Sequence, residues 1–382
     1  MKIGINAYEA VMPRFGFNKK TGLPNRVGSG EFCFQLLSAL AKLDKLNDYF
    51  IFSPLNPSKD MPSQSEKWKY IVFQSKKLWT LWGLSKRFFS AKEKIEVFFS
   101  PTHYLPLYTS CSSVISILDV SYIYFPKLFK KRDLYQLKLW GGYSIKKAEK
   151  IITISNSTKN DIIKTYKVSA DKIAVVYPGI KKVESEKLKL KSMQELSNKF
   201  EISPFYILFV GTLQPRKNVV KLVEAFSKLK KNPNTKNLEL VIVGKKGWLY
   251  EDTLSSPKKF GVEKQVKFLD FVEDEDLPSL YKNALCFVLP SLYEGFGLPV
   301  LEAMQYGCPV LTSNVSSLPE AGGDAAVYFD PQNADDIAQK IDKVISDDKL
   351  REEMIQKGYN QIKKFSWEKT AKETLRVLEG MK

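Results

Sequence analysis

With 382 residues, the chain has the length of two ordinary domains, and its 44% hydrophobic and 26% charged residues exclude wholesale disorder. The net charge is +17, and residues 1–178 carry 28 Lys and Arg against 13 Asp and Glu, a difference of +15. Such a basic field attracts phosphate-bearing partners, whether nucleic acid, anionic lipid or a diphosphate carrier, without choosing among them.

The first half alternates short apolar runs with amphipathic stretches. The apolar runs predict strands at 2–6, 49–53, 70–73, 97–100, 114–118 and 151–154. Residues 31–44 predict a helix with one apolar face. Residues 7–27, by contrast, read as one long loop, and loops of this length are usually functional or mobile.

The second half repeats this rhythm after a Lys-rich stretch that follows Ile180. Strands are predicted at 206–210, 238–243, 266–269, 285–289 and 310–312, with helices starting near Asn218, Asp276, Pro299 and Asp335. We expect the Lys-rich stretch to link two domains, at 1–180 and 203–365, each a parallel sheet with helices on both sides. Because open parallel sheets bind ligands beyond the carboxyl ends of their strands, a ligand would lie between the two sheets.

The most specific motif is residues 290–304, which read Pro-Ser-Leu-Tyr-Glu-Gly-Phe-Gly-Leu-Pro-Val-Leu-Glu-Ala-Met between a predicted strand and a predicted helix. Gly295 and Gly297 permit close backbone approach, and the free amides of a helix N-terminus favour an anion or a polar sugar face. Glu294 before the helix and Glu302, expected in its first turn, would then hold hydroxyl groups on either side of a diphosphate. The alternative is that both merely complement the helix dipole, worth about 0.3–1 kcal/mol each.

This motif resembles the Glu, seven residues, Glu signature of glycosyltransferase family 4. The resemblance covers nearly all of residues 203–365 and, more loosely, the first half. Further similar segments are the basic loop 211–218, the glycine turn 243–248, the base-contacting loop 271–273 and the downstream segment 313–320. The resemblance implies the α/β GT-B fold, in which two Rossmann-like domains face each other across a cleft. It also implies that a terminal helix, at about 366–382, crosses back onto the first domain.

The resemblance implies a transfer that retains anomeric configuration by front-face attack, with the leaving diphosphate taking the acceptor's proton. Arg216 and Lys217 would stabilise the departing charge, so no metal ion or other cofactor is expected. The alternative for this pair is a solvated surface position. By the same resemblance Glu302 would hold the ribose hydroxyls and Glu294 the transferred sugar, without acting as a nucleophile.

The expected donor-binding residues of the second domain follow from the same resemblance. They are Gly211, Arg216, Lys217, Gly244, Phe271, Val272, Glu294, Gly295, Phe296, Gly297, Leu298 and Glu302.

In the first domain, Gly28, Ser29 and Gly30 resemble the family's glycine-rich loop, which approaches the donor phosphate and the acceptor. Glycines are also common at ordinary helix starts and turns, which is the alternative reading. The preceding long loop is interpreted as a flap on the acceptor side.

One position departs from the family pattern, because Leu118 stands where many relatives have a histidine before Asp119. Asp119 is a candidate catalytic residue that would contact sugar or acceptor, with strand-end capping as the alternative. His103, the only histidine, is a candidate to line the cleft, and a satisfied loop histidine is an equal alternative.

Two stretches combine basic and aromatic residues in a way that suits an interfacial helix on anionic lipid, namely 76–89 and 127–140. The alternative for each is that the aromatic rings pack into the first domain. A cytoplasmic protein is expected, peripheral on the inner face of the cell membrane if these stretches bind lipid, because the four cysteines form no C-x-x-C pair and no apolar run reaches membrane-spanning length.

The expected function is transfer of a hexose from a nucleoside-diphosphate sugar to a glycan or lipid-linked acceptor in surface polysaccharide assembly. GDP-mannose is the first choice of donor, because residues 100–106 and 119–126 resemble the mannosyltransferase-like branch of the family. UDP-glucose and UDP-N-acetylglucosamine stay open, as does a non-catalytic sugar-nucleotide binder, suggested by Leu118. A nucleic-acid partner is not expected, because zinc spacing, RNA-recognition aromatics and a basic heptad region are missing.

Overall fold

The computed structural model describes residues 1–13, 16–18, 20–75, 78–90, 94–181, 190–230, 232–273 and 275–381. It divides into two compact units. Unit 1 contains Met1–Gly179 and Phe365–Lys382, and unit 2 contains Ile180–Lys364. Most of the expected linker, at 182–189, and Lys76 and Lys77 of the first basic-aromatic stretch lie outside the described residues.

Unit 1 is built from alternating strands and helices. In chain order they are β1 (Lys2–Asn6), α1 (Tyr8–Val11), α2 (Ser29–Leu43), β2 (Asp48–Ser53), β3 (Trp68–Val72), a π-helical turn (Trp79–Gly83), α3 (Leu84–Phe89), β4 (Val97–Ser100), β5 (Ser112–Ile117), α4 (Ser121–Tyr124), a 3-10 turn (Pro126–Leu128), α5 (Lys131–Gln136), a second π-helical turn (Leu137–Gly141), α6 (Gly142–Lys147), β6 (Lys150–Thr153), α7 (Asn156–Tyr166), a 3-10 turn (Ala170–Lys172) and β7 (Ile173–Val175).

Unit 2 repeats this alternation, and the last helix of the chain returns to unit 1. The elements are α8 (Met193–Phe200), β8 (Tyr206–Val210), a 3-10 turn (Pro215–Lys217), α9 (Val219–Leu229), a 3-10 turn (Pro233–Thr235), β9 (Glu239–Val243), α10 (Glu251–Phe260), β10 (Val266–Phe268), α11 (Leu277–Asn283), β11 (Cys286–Leu289), α12 (Leu298–Gln305), β12 (Val310–Ser313), α13 (Leu318–Gly322), β13 (Ala326–Phe329), α14 (Ala334–Ser346), α15 (Asp348–Ile362) and α16 (Trp367–Glu379).

Each unit has one parallel sheet, which confirms the predicted α/β architecture. The strand order is β3-β2-β1-β4-β5-β6-β7 in unit 1 and β10-β9-β8-β11-β12-β13 in unit 2. The central strands are buried on both faces, so they read as continuous apolar runs such as Tyr-Ile-Leu-Phe-Val in β8. The order in which strands are added to each sheet reverses between β1 and β4 in unit 1 and between β8 and β11 in unit 2. Such switch points form crevices at the carboxyl ends of the strands.

The edge strand β13 escaped prediction from the sequence. Its four residues Ala326–Phe329 pair only with β12, and three of them are half-buried, so no continuous apolar run marks the strand. Edge strands carry a weaker sequence signal because one side lacks a neighbouring strand.

The C-terminal helix α16 packs on α2 within unit 1. The Trp367 ring lies edge-on to Phe32 with ring centroids 5.6 Å apart, and the Thr370 hydroxyl donates to the Tyr177 carbonyl at 2.8 Å. At Gly179 a Cβ would lie 2.0 Å from the backbone nitrogen of Trp367, so only glycine allows the chain to leave unit 1 at this point.

The expectation of one long loop at 7–27 was wrong. Residues Tyr8–Val11 form α1, and Phe17 and Pro24 form an antiparallel bridge. Arg26 anchors the end of the segment, because its guanidinium donates to the Ala10 carbonyl at 2.6 Å and to the Asp60 carboxylate at 2.5 Å. The Ser58 hydroxyl is a third acceptor at 2.7 Å, so this buried cation fixes the chain here. Along the described ranges, no helix is both long and apolar enough to cross a membrane.

Candidate active site

The candidate site of unit 2 lies at the switch point between β8 and β11. The loop after β8 and the loop after β11 meet there, since the Leu292 amide donates to the Arg216 carbonyl at 2.9 Å. The Asn218 side chain reaches the Pro290 carbonyl at 3.1 Å and the Pro331 carbonyl at 2.7 Å. The two segments that the sequence singled out therefore form one structural element at the carboxyl ends of the strands.

A buried carboxylate joins the two expected cations. Glu294 accepts a hydrogen bond from the Lys217 ammonium at 2.6 Å and from the Arg216 guanidinium at 3.0 Å. The side chains of Arg216 and Lys217 are only 13% and 10% exposed, so a solvated surface pair is wrong as an interpretation. Arg216 also donates to the Tyr293 carbonyl. The pair therefore forms a buried charged cluster with Glu294.

The cluster keeps Glu294 ionised. Burial by itself raises the pKa of this carboxyl, but the charges of Lys217 and Arg216, with hydrogen bonds from Lys217 and Ser291, more than offset burial and lower the pKa to about 2 from an ordinary 4.5. The carboxylate is therefore negative at any physiological pH. Its role as a simple complement to the helix dipole does not account for two buried cationic partners.

Three serines hold Glu294 in place, a role that their positions in the sequence did not predict. The Ser291 hydroxyl donates to the carboxylate at 2.7 Å. Ser316 accepts from the Glu294 amide at 2.9 Å, and Ser317 donates to its carbonyl at 2.8 Å. Ser291 and Ser317 are fully buried. Because both backbone polar groups and one carboxylate oxygen are fixed, Glu294 is a pre-positioned group.

Gly211 and Gly244 allow the loops after β8 and β9 to touch through their backbones. A Cβ at position 244 would lie 1.9 Å from the Gly211 carbonyl oxygen. The Gly211 amide donates to Val243 at 2.9 Å, and the Gly244 amide donates to Asp270 at 2.7 Å. These contacts place both expected glycines beside the cation loop, and the Lys217 side chain passes 3.5 Å from where a Cβ at Gly211 would stand.

Helix α12 starts at Leu298, directly after Gly297, whose φ of 106° is strained for any residue with a side chain. A Cβ at Gly297 would also lie 2.8 Å from the Leu318 side chain. Gly295 and Phe296 are buried beside it. The turn therefore presents a backbone-lined helix N-terminus at the expected place.

Glu302 does not lie in the first turn of this helix, contrary to the expectation. It is the fifth residue of α12, and the first turn holds no acidic residue. Its half-buried carboxylate instead accepts a hydrogen bond from the hydroxyl of the fully buried Tyr281 at 3.2 Å. Tyr281, from α11, thus orients Glu302, and the sequence did not predict this contact because no local spacing links Tyr281 to α12.

The expected base-contacting loop follows β10. Phe271 is 42% exposed, whereas Val272 is buried. The Lys245 ammonium sits 4.1 Å from the centre of the Phe271 ring, which ties this loop to the one after β9. An exposed aromatic face at the strand ends is suited to stacking on a planar base.

In unit 1 the glycine-rich loop lies at the start of α2. Gly28 occupies the N-cap position, with φ of 55°, and the Ser29 hydroxyl donates to the Glu9 carboxylate at 3.1 Å. A Cβ at Gly30 would lie 3.1 Å from the Glu9 carbonyl, so α1 and α2 approach closely here. The loop is therefore fixed by α1, and its contact with donor or acceptor stays a prediction.

Asp119 follows β5, next to the buried Leu118. Its carboxylate accepts from the Ser121 amide at 2.9 Å and hydroxyl at 2.6 Å, which is the capping contact that was the alternative expectation. His103 is half-buried, in the segment that follows β4. Sugar contacts of Asp119 and His103 stay predictions. Over the ranges described, no three His, Cys, Asp or Glu side chains gather into a group able to hold a metal ion.

The chain matches known families along most of its length. Residues 192–361 match the family described as Glycosyl transferases group 1, and residues 70–182 match Glycosyltransferase Family 4. Over 281 residues, 73% of each chain, it is 34% identical to the O-antigen chain mannosyltransferase B of Escherichia coli. The chain belongs to glycosyltransferase family 4.

Two further comparisons bear on family and fold. The serotype-specific mannosyltransferase WbdA of Escherichia coli is 30% identical over 242 residues, which are 63% of this chain but only 29% of that protein. The sucrose-phosphate synthase of Thermosynechococcus elongatus has a similar fold, with a TM-score of 0.73 over 100% of this chain and 99% of that one, at 16% identity. The comparisons confirm the GT-B fold and show that this family member is a glycosyltransferase.

Proposed function

We propose that this glycosyltransferase moves a hexose to a glycan or lipid-linked acceptor in surface polysaccharide assembly. The first choice of donor is GDP-mannose, which supplies mannose. The transfer retains the anomeric configuration and needs no metal ion. The observation that carries the proposal is the buried cluster of Arg216, Lys217 and Glu294 at the switch point of unit 2. The choice of mannose is supported by the two relatives named as mannosyltransferases, one of which acts on an O-antigen chain.

The cation pair suits a diphosphate leaving group. When the bond between the anomeric carbon and the diphosphate breaks, negative charge grows on the diphosphate oxygens, and the acceptor oxygen forms its bond to the same carbon while its proton passes to the diphosphate. Arg216 and Lys217 supply two positive charges from side chains that are largely shielded from solvent, where each charge interacts more strongly than in bulk water. This charge takes the part that a divalent cation plays in other transferases.

Glu294 has a second task in the proposal. The Lys217 ammonium has three N–H donors, and its bond to Glu294 uses one of them. When the donor binds, its diphosphate oxygens and the Glu294 carboxylate both accept hydrogen bonds from Arg216 and Lys217. The remaining lone pairs of the carboxylate then accept from hydroxyl groups of the transferred sugar. Glu302, oriented by Tyr281, accepts from the ribose hydroxyls, and the exposed Phe271 ring stacks on the base.

The first experiment measures the thermal unfolding of the protein with GDP, UDP and ADP and with their sugar conjugates, in the presence of EDTA. We expect one nucleotide to raise Tm selectively. The Arg216→Ala/Lys217→Ala and Glu302→Ala variants should lose that increase, whereas the exposed control Glu353→Gln should keep it. A selective increase with UDP would replace mannose by the open alternatives, and no increase with any nucleotide would refute the donor site.

A transfer assay tests the chemistry. With the selected donor and a lipid-linked or glycan acceptor, proton NMR of the product should show the anomeric configuration of the donor, and EDTA should leave the rate unchanged. An inverted product would refute the front-face mechanism, and loss of activity with EDTA that Mg²⁺ restores would refute metal independence. Donor binding without hydrolysis or transfer would favour the non-catalytic alternative that Leu118 suggested.

A further inference from the structure

The exposed apolar side chains of the described residues are concentrated in unit 1. Eight of the large ones lie between positions 78 and 143, compared with four among the described residues of unit 2. The eight are Leu78, Trp82, Phe89, Tyr108, Tyr124, Tyr135, Leu139 and Tyr143. Scattered single exposures are ordinary, whereas a contiguous apolar patch marks an interaction site, so the spatial arrangement of these side chains decides what they mean.

The first basic-aromatic stretch divides its side chains between core and surface. Trp79, Leu84 and Phe88 are buried, as the core-packing alternative expected for them. Trp82 is 53% exposed and Phe89 is 73% exposed, with the exposed Lys86 between them. The stretch is therefore an amphipathic helix whose outer face carries rings and charge together.

The segment 104–108 contacts both this helix and the second basic-aromatic stretch. Phe89 stacks on Tyr108 with ring centroids 4.1 Å apart and planes 13° apart, and the Tyr108 amide donates to Ser85 at 3.0 Å. The neighbouring Leu107 carbonyl accepts from the Tyr143 hydroxyl at 3.0 Å and from the Lys147 ammonium at 2.9 Å. The two stretches are thus parts of one surface.

The second stretch presents the same chemistry. Tyr135, Leu139 and Tyr143 recur at intervals of four along the continuous helical segment 131–147, so they share one face. Tyr135 is 67% exposed and Leu139 is 49% exposed. The basic residues Lys131, Arg132, Lys138 and Lys146 of this segment are exposed as well, and they outnumber its one exposed acidic residue, Asp133.

A hollow of about 800 Å³ opens beside the helical segment 79–89 of the first basic-aromatic stretch. Its walls include the rings of Phe73 and Trp82 and the side chain of Leu78, with the cations Lys86 and Arg87 beside them. Apolar walls with adjoining cations match a lipid, which has an acyl chain and an anionic headgroup.

We propose that this aromatic-basic face, formed by residues 78–89, 104–108 and 131–147, binds the surface of an anionic bilayer. Rings of Trp and Tyr favour the boundary between headgroups and acyl chains, and Lys and Arg are attracted by anionic headgroups, each strengthening binding about fivefold. The inference concerns unit 1 alone and does not depend on the transfer reaction.

The test is flotation of the whole protein with vesicles of phosphatidylglycerol and phosphatidylethanolamine, and with neutral phosphatidylcholine vesicles. We expect binding to the anionic vesicles that weakens as salt rises. Trp82→Ser/Phe89→Ser and Tyr135→Ser/Leu139→Ser should each lower the partition coefficient at least about tenfold. The neutralising pair Lys86→Gln/Lys138→Gln should lower it about 25-fold.

Matched controls come from unit 2. Phe205→Ser/Leu249→Ser removes two apolar side chains that are 57% and 52% exposed, and Lys349→Gln/Lys357→Gln removes two exposed cations. Both controls should bind vesicles as the unaltered protein does. The proposal is overturned if the protein ignores anionic vesicles, if the controls weaken binding equally, or if light scattering shows that the face instead joins two copies of the chain that its serine variants separate.

Discussion

Replacing Glu294 with glutamine should destabilise the protein substantially. Glutamine keeps the shape of the side chain but removes the negative charge that pairs with the buried cations Lys217 and Arg216. The difference between the ordinary pKa of 4.5 and about 2 corresponds to about 3 kcal/mol, and breaking a buried ion pair on one side typically costs about 3–5 kcal/mol. We therefore expect the free energy of unfolding of unit 2, from urea titrations at neutral pH, to fall by about 3 kcal/mol.

The pH dependence gives this prediction a sign. Because the folded state lowers the pKa of Glu294, its contribution is fully present above about pH 4.5 and is lost as the pH falls towards about 2. The destabilising effect of Glu294→Gln should therefore shrink by about 2 kcal/mol between about pH 5 and about pH 3. The exposed control Glu353→Gln should show no such convergence.

A second variant separates the electrostatic cause from a packing defect. Adding Lys217→Met to Glu294→Gln removes the buried ammonium but keeps the Arg216 guanidinium, so Glu294 and Lys217 are replaced together by neutral groups of similar volume, a change that is often close to neutral. The double variant should recover the part of the lost stability that is due to Lys217, and the remainder reports on Arg216. A single variant as stable as the unaltered protein, or a loss that stays constant across this pH range, would refute the buried charge cluster.

Substitutions at three further positions test contacts around the site. Gly244→Ala should lower the free energy of unfolding by about 1–3 kcal/mol, because its methyl group meets a carbonyl oxygen at 1.9 Å, and an unchanged Tm would contradict this close approach. Tyr281→Phe should raise the donor KM about two- to tenfold with little change in kcat, since Glu302 loses one orienting hydrogen bond. An unchanged KM would show that Tyr281 does not orient Glu302 for donor binding. Ser317→Ala should lower kcat/KM about tenfold by releasing the Glu294 carbonyl, and Ser317→Thr should restore it; loss of folding with both would indicate a purely structural role.

Much of the fold was readable from the sequence because buried parallel strands are written as local apolar runs. The strand Tyr206–Val210 and the motif after β11 are contiguous in sequence, so periodicity and turn chemistry located them. The edge strand Ala326–Phe329 and the helix Tyr8–Val11 were missed, because short elements that are half-buried carry little pattern of their own.

For the site, the sequence by itself determined the residue types: two adjacent cations, two carboxylates and a glycine turn before a proline-started helix. Only the tertiary structure decided which of them touch. Lys217 and Glu294 are 77 positions apart and meet at 2.6 Å because β8 and β11 are neighbours in the sheet. Ser317 and Tyr281 gained their roles in the same way, through strands and helices distant along the chain. Pairings between distant segments depend on strand order, which local composition does not encode.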